Sequence, residues 1–213
     1  MSSWLARRCK QTDFLSGDRK SLLRTIPKPN INTLCPMDWS QAVRHSTENK
    51  EVWYKHGEKM ENHFVSAVAP SIGLDVIINP EKKTNKYAHD LILDGTKRAD
   101  LKHQGTPFFM ATRYGLNPRN TVSFNRKDYE RYKRLYPNIF VVFWVQWDKQ
   151  SGYGVNVDAQ NGVWIFSLDE LGEQIKQAPL HTYQKRVKDK RGNAKDSYLI
   201  KLDSSSRGGI ILR

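Results

Sequence analysis

Apolar residues recur every four positions at Met60, Phe64 and Val68, and Val65 widens the stripe. That spacing predicts an amphipathic helix from about residue 50 to residue 69, ended by the Pro70 to Gly73 stretch. Glu61 falls on the apolar side of this helix, three positions before Phe64 and four before Val65. A carboxylate there needs a partner or must reach for water at the edge of the stripe. Glu58, one turn earlier, is its rival.

Residues 74 to 78 read as a first strand closed by Asn79-Pro80, and Lys82, Lys83 and Lys86 make a basic connection. Two short runs then flank Asp94-Gly95, a dipeptide that favours a tight turn, so residues 86 to 104 are predicted to form a hairpin. Residues 105 to 125 look like a loop with short extended pieces, and 126 to 135 like a helix stopped by Pro137. Residues 139 to 147 are almost wholly apolar and rich in β-branched and aromatic side chains, as expected of a central strand covered on both faces. Residues 154 to 157 and 162 to 166 are predicted edge strands. Ser167 with Glu170 has the spacing of a capping box opening a helix to about residue 177. A basic hairpin, 182 to 187 and 197 to 202 around Gly192-Asn193, closes the chain.

This order predicts an α/β fold with a mixed sheet flanked by helices. The first 49 residues carry Leu5, Leu15, Leu22 and Leu23 before Pro27, Pro29 and Pro36 interrupt any regular element. They are predicted to form an arm ahead of a single domain spanning 50 to 213.

Composition changes the picture mainly through charge. Thirty-five Lys and Arg stand against 22 Asp and Glu, a formal net charge of +13, which favours a polyanionic partner, nucleic acid first. Cys9 and Cys35 lie in no metal-binding or disulfide pattern, which fits a reducing, intracellular setting, cytoplasmic or nucleoid-associated. No stretch has the roughly 20 apolar residues of a membrane span. Arg7, Arg8 and Lys10 hint at a transit peptide, but Asp13 and Asp18 count against it.

The densest chemistry lies on the predicted hairpin. Asp90 is on its first run; Asp100 and Lys102, two apart, project from one face of its second. Two carboxylates and an ammonium converging there could hold a divalent cation and offset developing negative charge. His89 and His103 alternate away from that face, and His181 is expected at the surface.

Asp90, nine intervening residues, then Asp100-Leu101-Lys102, preceded by a helix bearing Glu61 and followed by a helix and a buried strand, resembles the signature of the PD-(D/E)XK nuclease superfamily. The resemblance covers roughly residues 50 to 147. His89 stands where Pro is common in that pattern, and the second acid is Asp rather than the more frequent Glu. The resemblance implies a restriction-endonuclease-like fold and metal-dependent DNA endonuclease activity, restriction-like or phage-type. It implies Mg²⁺, with Mn²⁺ as substitute, held by Asp90, Asp100 and the Leu101 carbonyl. Lys102 would lie beside the scissile phosphate, and Glu61 would bind metal through water or complete a second site. Gln104, two past Lys102, would orient the nucleophile or contact phosphate; a solvated strand-end Gln is its plain alternative.

DNA contact is expected from Arg113, Arg119, Arg126, Lys127 and Arg131, and from Lys185, Arg186, Lys188, Lys190 and Arg191. Double-strand cutting would imply a homodimer. Two other functions stay open: a catalytically inactive DNA-binding protein on the same fold, and an RNA-directed nuclease.

Overall fold

The computed structural model describes residues 50–85, 87–183, 196–204 and 209–212. The predicted N-terminal arm and the basic run from Lys185 to Arg191 lie outside the described residues. Helix α1 (Lys50–His63) continues into a π turn (Phe64–Val68), where the Ala69 N–H reaches back to the Phe64 carbonyl, and ends in the single turn α2 (Ala69–Ser71). Met60, Phe64, Val68 and Ile72 are all buried, as their four-residue spacing anticipated.

Strand β1 (Val76–Ile78) pairs antiparallel with β2 (Leu91–Leu93), and β2 with β3 (Lys97–Gln104). The hairpin turn is the predicted one. Asp94 and Gly95 both have positive φ, and the Leu93 carbonyl accepts from the Thr96 N–H. Glycine takes this conformation without strain and Asp tolerates it better than most residues. The chain then crosses the sheet through two short 3₁₀ turns (Phe109–Tyr114 and Pro118–Asn120), β4 (Thr121–Asn125) and α3 (Arg126–Leu135). Asn125 caps α3 by accepting from the Lys127 N–H. β5 (Phe140–Gln146) returns parallel to β3, the arrangement a crossover permits.

A two-strand ribbon, β6 (Ser151–Gly152) with β7 (Val155–Asn156), precedes β8 (Asn161–Ser167). Ser167 and Glu170 form the predicted capping box at the start of α4 (Leu168–Ile175). Then come β9 (Leu180–His181), β10 (Ser197–Lys201) and β11 (Gly209–Ile211).

The central sheet is mixed, in the order β1-β2-β3-β5-β8-β11. One expectation fails here. β8 is no edge strand, because β11, from a distant segment, pairs along its outer side. In the tail, β9 and β10 pair antiparallel, and β10 also pairs with β4, which makes a second, three-stranded sheet. The rest of the predicted basic hairpin, residues 184–195, lies outside the described residues.

β5 divides the protein into two cores by simple alternation. Val142 and Trp144 point to one face, where α1, the π turn and α2 pack with Ala99 and Leu101 of β3. Val141, Phe143 and Val145 point to the other, against β4, β10, α3 and α4. One layer over the sheet is therefore helical, and the other combines helices with the second sheet. Among the described residues no helix is long and apolar enough to cross a membrane.

Candidate active site

The β2–β3 ladder stops at Leu91↔Ala99. Just beyond it Asp90 takes over the backbone's role: its Oδ2 accepts from the Leu101 N–H at 3.2 Å, and its own carbonyl accepts from Asn79 N–H at 2.9 Å. N–H and C=O of one strand residue face the same neighbour, so the Leu101 carbonyl also looks to the Asp90 side. The other oxygen of Asp90, Oδ1, lies 2.5 Å from the ammonium of Lys82. That same ammonium bonds Oε2 of Glu61. Thus Glu61 of α1 and Asp90 converge on one cation carried by the loop between β1 and β2.

Lys82 is aimed by Asn79, which is 2% exposed. The Asn79 Oδ1 caps the 3₁₀ turn Pro80–Lys83 by accepting from Glu81 N–H, and its amide donates to the His89 carbonyl at 3.0 Å. One side chain therefore ties the lysine-bearing turn to the segment that holds Asp90. Burial works against the charge on Lys82, but Asp90 and Glu61 outweigh it and hold its pKa above the ordinary lysine value.

Asp100 and Lys102 project from the opposite face of β3, into the α3 layer. Lys102 Nζ lies 2.7 Å from Asp100 Oδ2 and 2.9 Å from Asp128 Oδ2. Asp100 is 3% exposed, and its Oδ2, despite the nearby ammonium, receives no hydrogen bond of good geometry. Tyr132 lies within hydrogen-bonding reach of the Asp100 carboxylate. Burial, with Asp90 nearby, raises the Asp100 pKa; Lys102 and the Tyr132 bond oppose the rise. Burial also opposes the charge on Lys102, but Asp100, Tyr132 and Asp128 override it and keep the ammonium protonated. Arg131 completes the cluster, 3.3 Å from Asp128 Oδ1 and over the Tyr132 ring at 5.0 Å.

The site thus consists of two lysine-bridged carboxylate pairs, Glu61–Lys82–Asp90 and Asp100–Lys102–Asp128, joined through Asp90 at the open end of the hairpin. Of the residues singled out from the sequence, Glu61 meets Asp90, and Asp100 meets Lys102. Gln104 spans to the second sheet: its amide donates to the Ser123 carbonyl at 2.8 Å and accepts from the Ser123 N–H at 3.4 Å. Glu58 is exposed. His103 packs in the α1 layer, 4.5 Å from the Trp144 ring, and His89 meets Tyr136 edge-on at 5.4 Å.

His181 corrects a sequence expectation: it is buried, not superficial. Its Nδ1 lies 2.9 Å from the Tyr114 hydroxyl, and Phe108, Tyr114 and Tyr183 surround the ring. Lys82, Asp128 and Tyr132 belong to the site but were not singled out from the sequence. Asp128 had a faint signal, one carboxylate in the basic first turn of α3.

The basic candidates differ in availability. Arg113, Arg119, Arg126 and Lys127 are exposed, with Arg126 drawn to Glu130 at 2.8 Å, whereas Arg131 turns inward to Asp128.

Among the described residues no three His, Cys, Asp or Glu side chains form a group that could hold a metal by themselves. The donors nevertheless suit a hard cation that keeps several waters and needs one or two carboxylates. Glu61 and Asp90 already converge on a single positive charge, and Asp100 keeps a buried oxygen without a directed donor. The chain matches no family model, no curated protein and no solved structure.

Proposed function

We propose that the protein is a metal-dependent endonuclease that hydrolyses DNA phosphodiester bonds on a restriction-endonuclease-like fold. The observation that carries this reading is the hairpin end itself. Asp90 caps the Leu101 N–H while Asp100 and Lys102 flank Leu101 on the same strand, so two carboxylates, a carbonyl and an ammonium gather around one backbone position. The residues that would hold the cation are Asp90, Asp100, the Leu101 carbonyl and Glu61. Mg²⁺, or Mn²⁺ in its place, would supply Lewis acidity toward a phosphate oxygen and make water a competent nucleophile near neutral pH.

The chain's own groups supply the rest. Lys102 is a fixed positive charge, anchored from both sides by Asp100 and Asp128, and offsets charge that builds on the phosphate. Its ammonium also lies over the Tyr132 ring, 5.7 Å from the ring centre, which limits its wandering. The exposed Arg113, Arg119, Arg126 and Lys127 line the chain segment that follows β3 and would track the phosphate backbone.

The test is incubation of the full chain with supercoiled plasmid and with RNA, in Mg²⁺ or in EDTA, beside an Asp100→Asn variant. Nicking or linearisation of plasmid that needs Mg²⁺ and Asp100 is the expected result. Binding without cleavage in both proteins would leave a DNA-binding protein, and cleavage of RNA alone would move the substrate.

A further inference from the structure

The mechanism above uses Lys102 and leaves Lys82 unexplained, although Lys82 makes both of the contacts that bring Glu61 and Asp90 together. We infer that Lys82 is a built-in counter-cation: its ammonium occupies the point where Glu61 and Asp90 converge, and a divalent cation enters by displacing it. The inference rests on the reading of Glu61 and Asp90 as metal ligands.

The geometry favours an exchange over a permanent salt bridge. Lys82 arises from a short turn, not from the sheet, and its side chain is 25% exposed, so the stem can swing to water while Asn79 keeps the backbone in place. Glu61 and Asp90 are each held by other means. Glu61 is fixed by α1, whose neighbouring residues Met60 and Phe64 are fully packed, and Asp90 by the Leu101 N–H. Neither carboxylate depends on the lysine for its position, so both would remain in place after it leaves.

Charge balance points the same way. Two carboxylates and one ammonium leave the trio with one net negative charge, before the buried Asp100 nearby is added. A divalent ion in place of the ammonium neutralises the pair of carboxylates, and the released lysine remains on the same turn, close to where a phosphate would approach. A monovalent resident that half-neutralises the site preserves it without metal and still leaves a field that draws a stronger cation.

Mn²⁺ binding to the full chain, followed by titration calorimetry and by the electron paramagnetic resonance signal of free Mn²⁺, tests this without any cleavage readout. Lys82→Met keeps the stem and removes the charge. It is expected to bind Mn²⁺ at least ten-fold more tightly than the natural chain, to melt at a lower temperature without metal and to recover when Mn²⁺ is added. Lys82→Gln serves if the Met variant fails to fold, with the same expectation. Equal or weaker Mn²⁺ affinity in the folded variant overturns the inference while leaving the metal site intact, provided Asp90→Asn still abolishes binding. If Asp90→Asn binds Mn²⁺ as the natural chain does, or if no variant binds it, the reading of the ligands itself falls, and this inference with it.

Discussion

The ammonium of Lys102 lies 2.7 Å from the buried Oδ2 of Asp100, two positions back on the same strand. Asp100 is enclosed and its charge cannot fall back on water, although a quarter of the Lys102 side chain is exposed. Removing one partner of such a pair typically costs about 3–5 kcal/mol, because the other is stranded. Lys102→Met is therefore expected to destabilise the protein by an amount in that range, and Asp100→Asn introduced into the same chain to restore most of it. Urea unfolding of the two single variants and the double variant measures the coupling. Additive losses would show that the pair does not act as a unit.

Gln104 spans to Ser123 with both ends of its amide. The contact fastens β3 to the second sheet through a backbone N–H and a backbone carbonyl. Gln104→Ala leaves both unmet and is expected to cost about 1–3 kcal/mol. Gln104→Glu keeps an acceptor for the Ser123 N–H but sets a carboxylate oxygen against the Ser123 carbonyl, so it is expected to cost at least as much as Gln104→Ala. A melting series over these variants, with DNA binding unchanged, checks a fastening role; unchanged melting in Gln104→Ala would refute it.

His103 gives stability a pH dependence. Burial, helped by the charges of His56 and His63, pushes its pKa down to about 4, below the unfolded value near 6.5. Between these values the unfolded chain takes up a proton that the folded one refuses. The contribution of His103 is thus complete above pH 6.5 and is lost as pH falls toward 4. Denaturant midpoints measured across that window should decline with acid, and His103→Gln should flatten the decline. An equal slope in the variant would place the cause elsewhere.

The exposed cations after β3 should act on DNA through phosphate neutralisation alone. Lys127→Ala and Arg119→Ala, each followed by fluorescence anisotropy at several salt concentrations, are expected to weaken binding to all duplex sequences alike. Each should also lower the salt slope by roughly one. Arg131→Ala should behave differently, losing stability as well, because Arg131 is committed to Asp128 and Tyr132. A sequence-selective loss from Lys127→Ala would contradict the phosphate role.

The elements nearest the site were readable because short-range chemistry decides them. Asp94-Gly95 specifies the hairpin turn, Ser167 and Glu170 specify a helix start, and the run around Val142 and Trp144 has nowhere to go but a covered strand. Asp90, Asp100 and Lys102 could be placed near one another because a hairpin makes spacing into proximity. Lys82 could not. It sits in a lysine-rich connection, and its meaning arises only when α1, 21 positions away along the chain, lies beside the same loop. His181 failed for a like reason, since Phe108 and Tyr114 reach it from more than 60 positions away. β8 looked like an edge because the three residues that cover it come from the far end of the chain.

The π turn between Phe64 and Val68 has an angular consequence. Four residues overshoot a full α-helical turn by about 40°, so the buried series Met60, Phe64, Val68 and Ile72 would drift some 120° around an ideal helix. The wider turn winds that drift back. Glu61 lies before the correction, and Ala69 and Ile72, which seat the helix on the sheet, lie after it. The aim of the carboxylate is therefore set by helical phase as much as by its place in the sequence. A single-residue insertion or deletion inside the turn would rotate Glu61 by roughly 100° away from Lys82 while leaving every chemical group of the site in the chain.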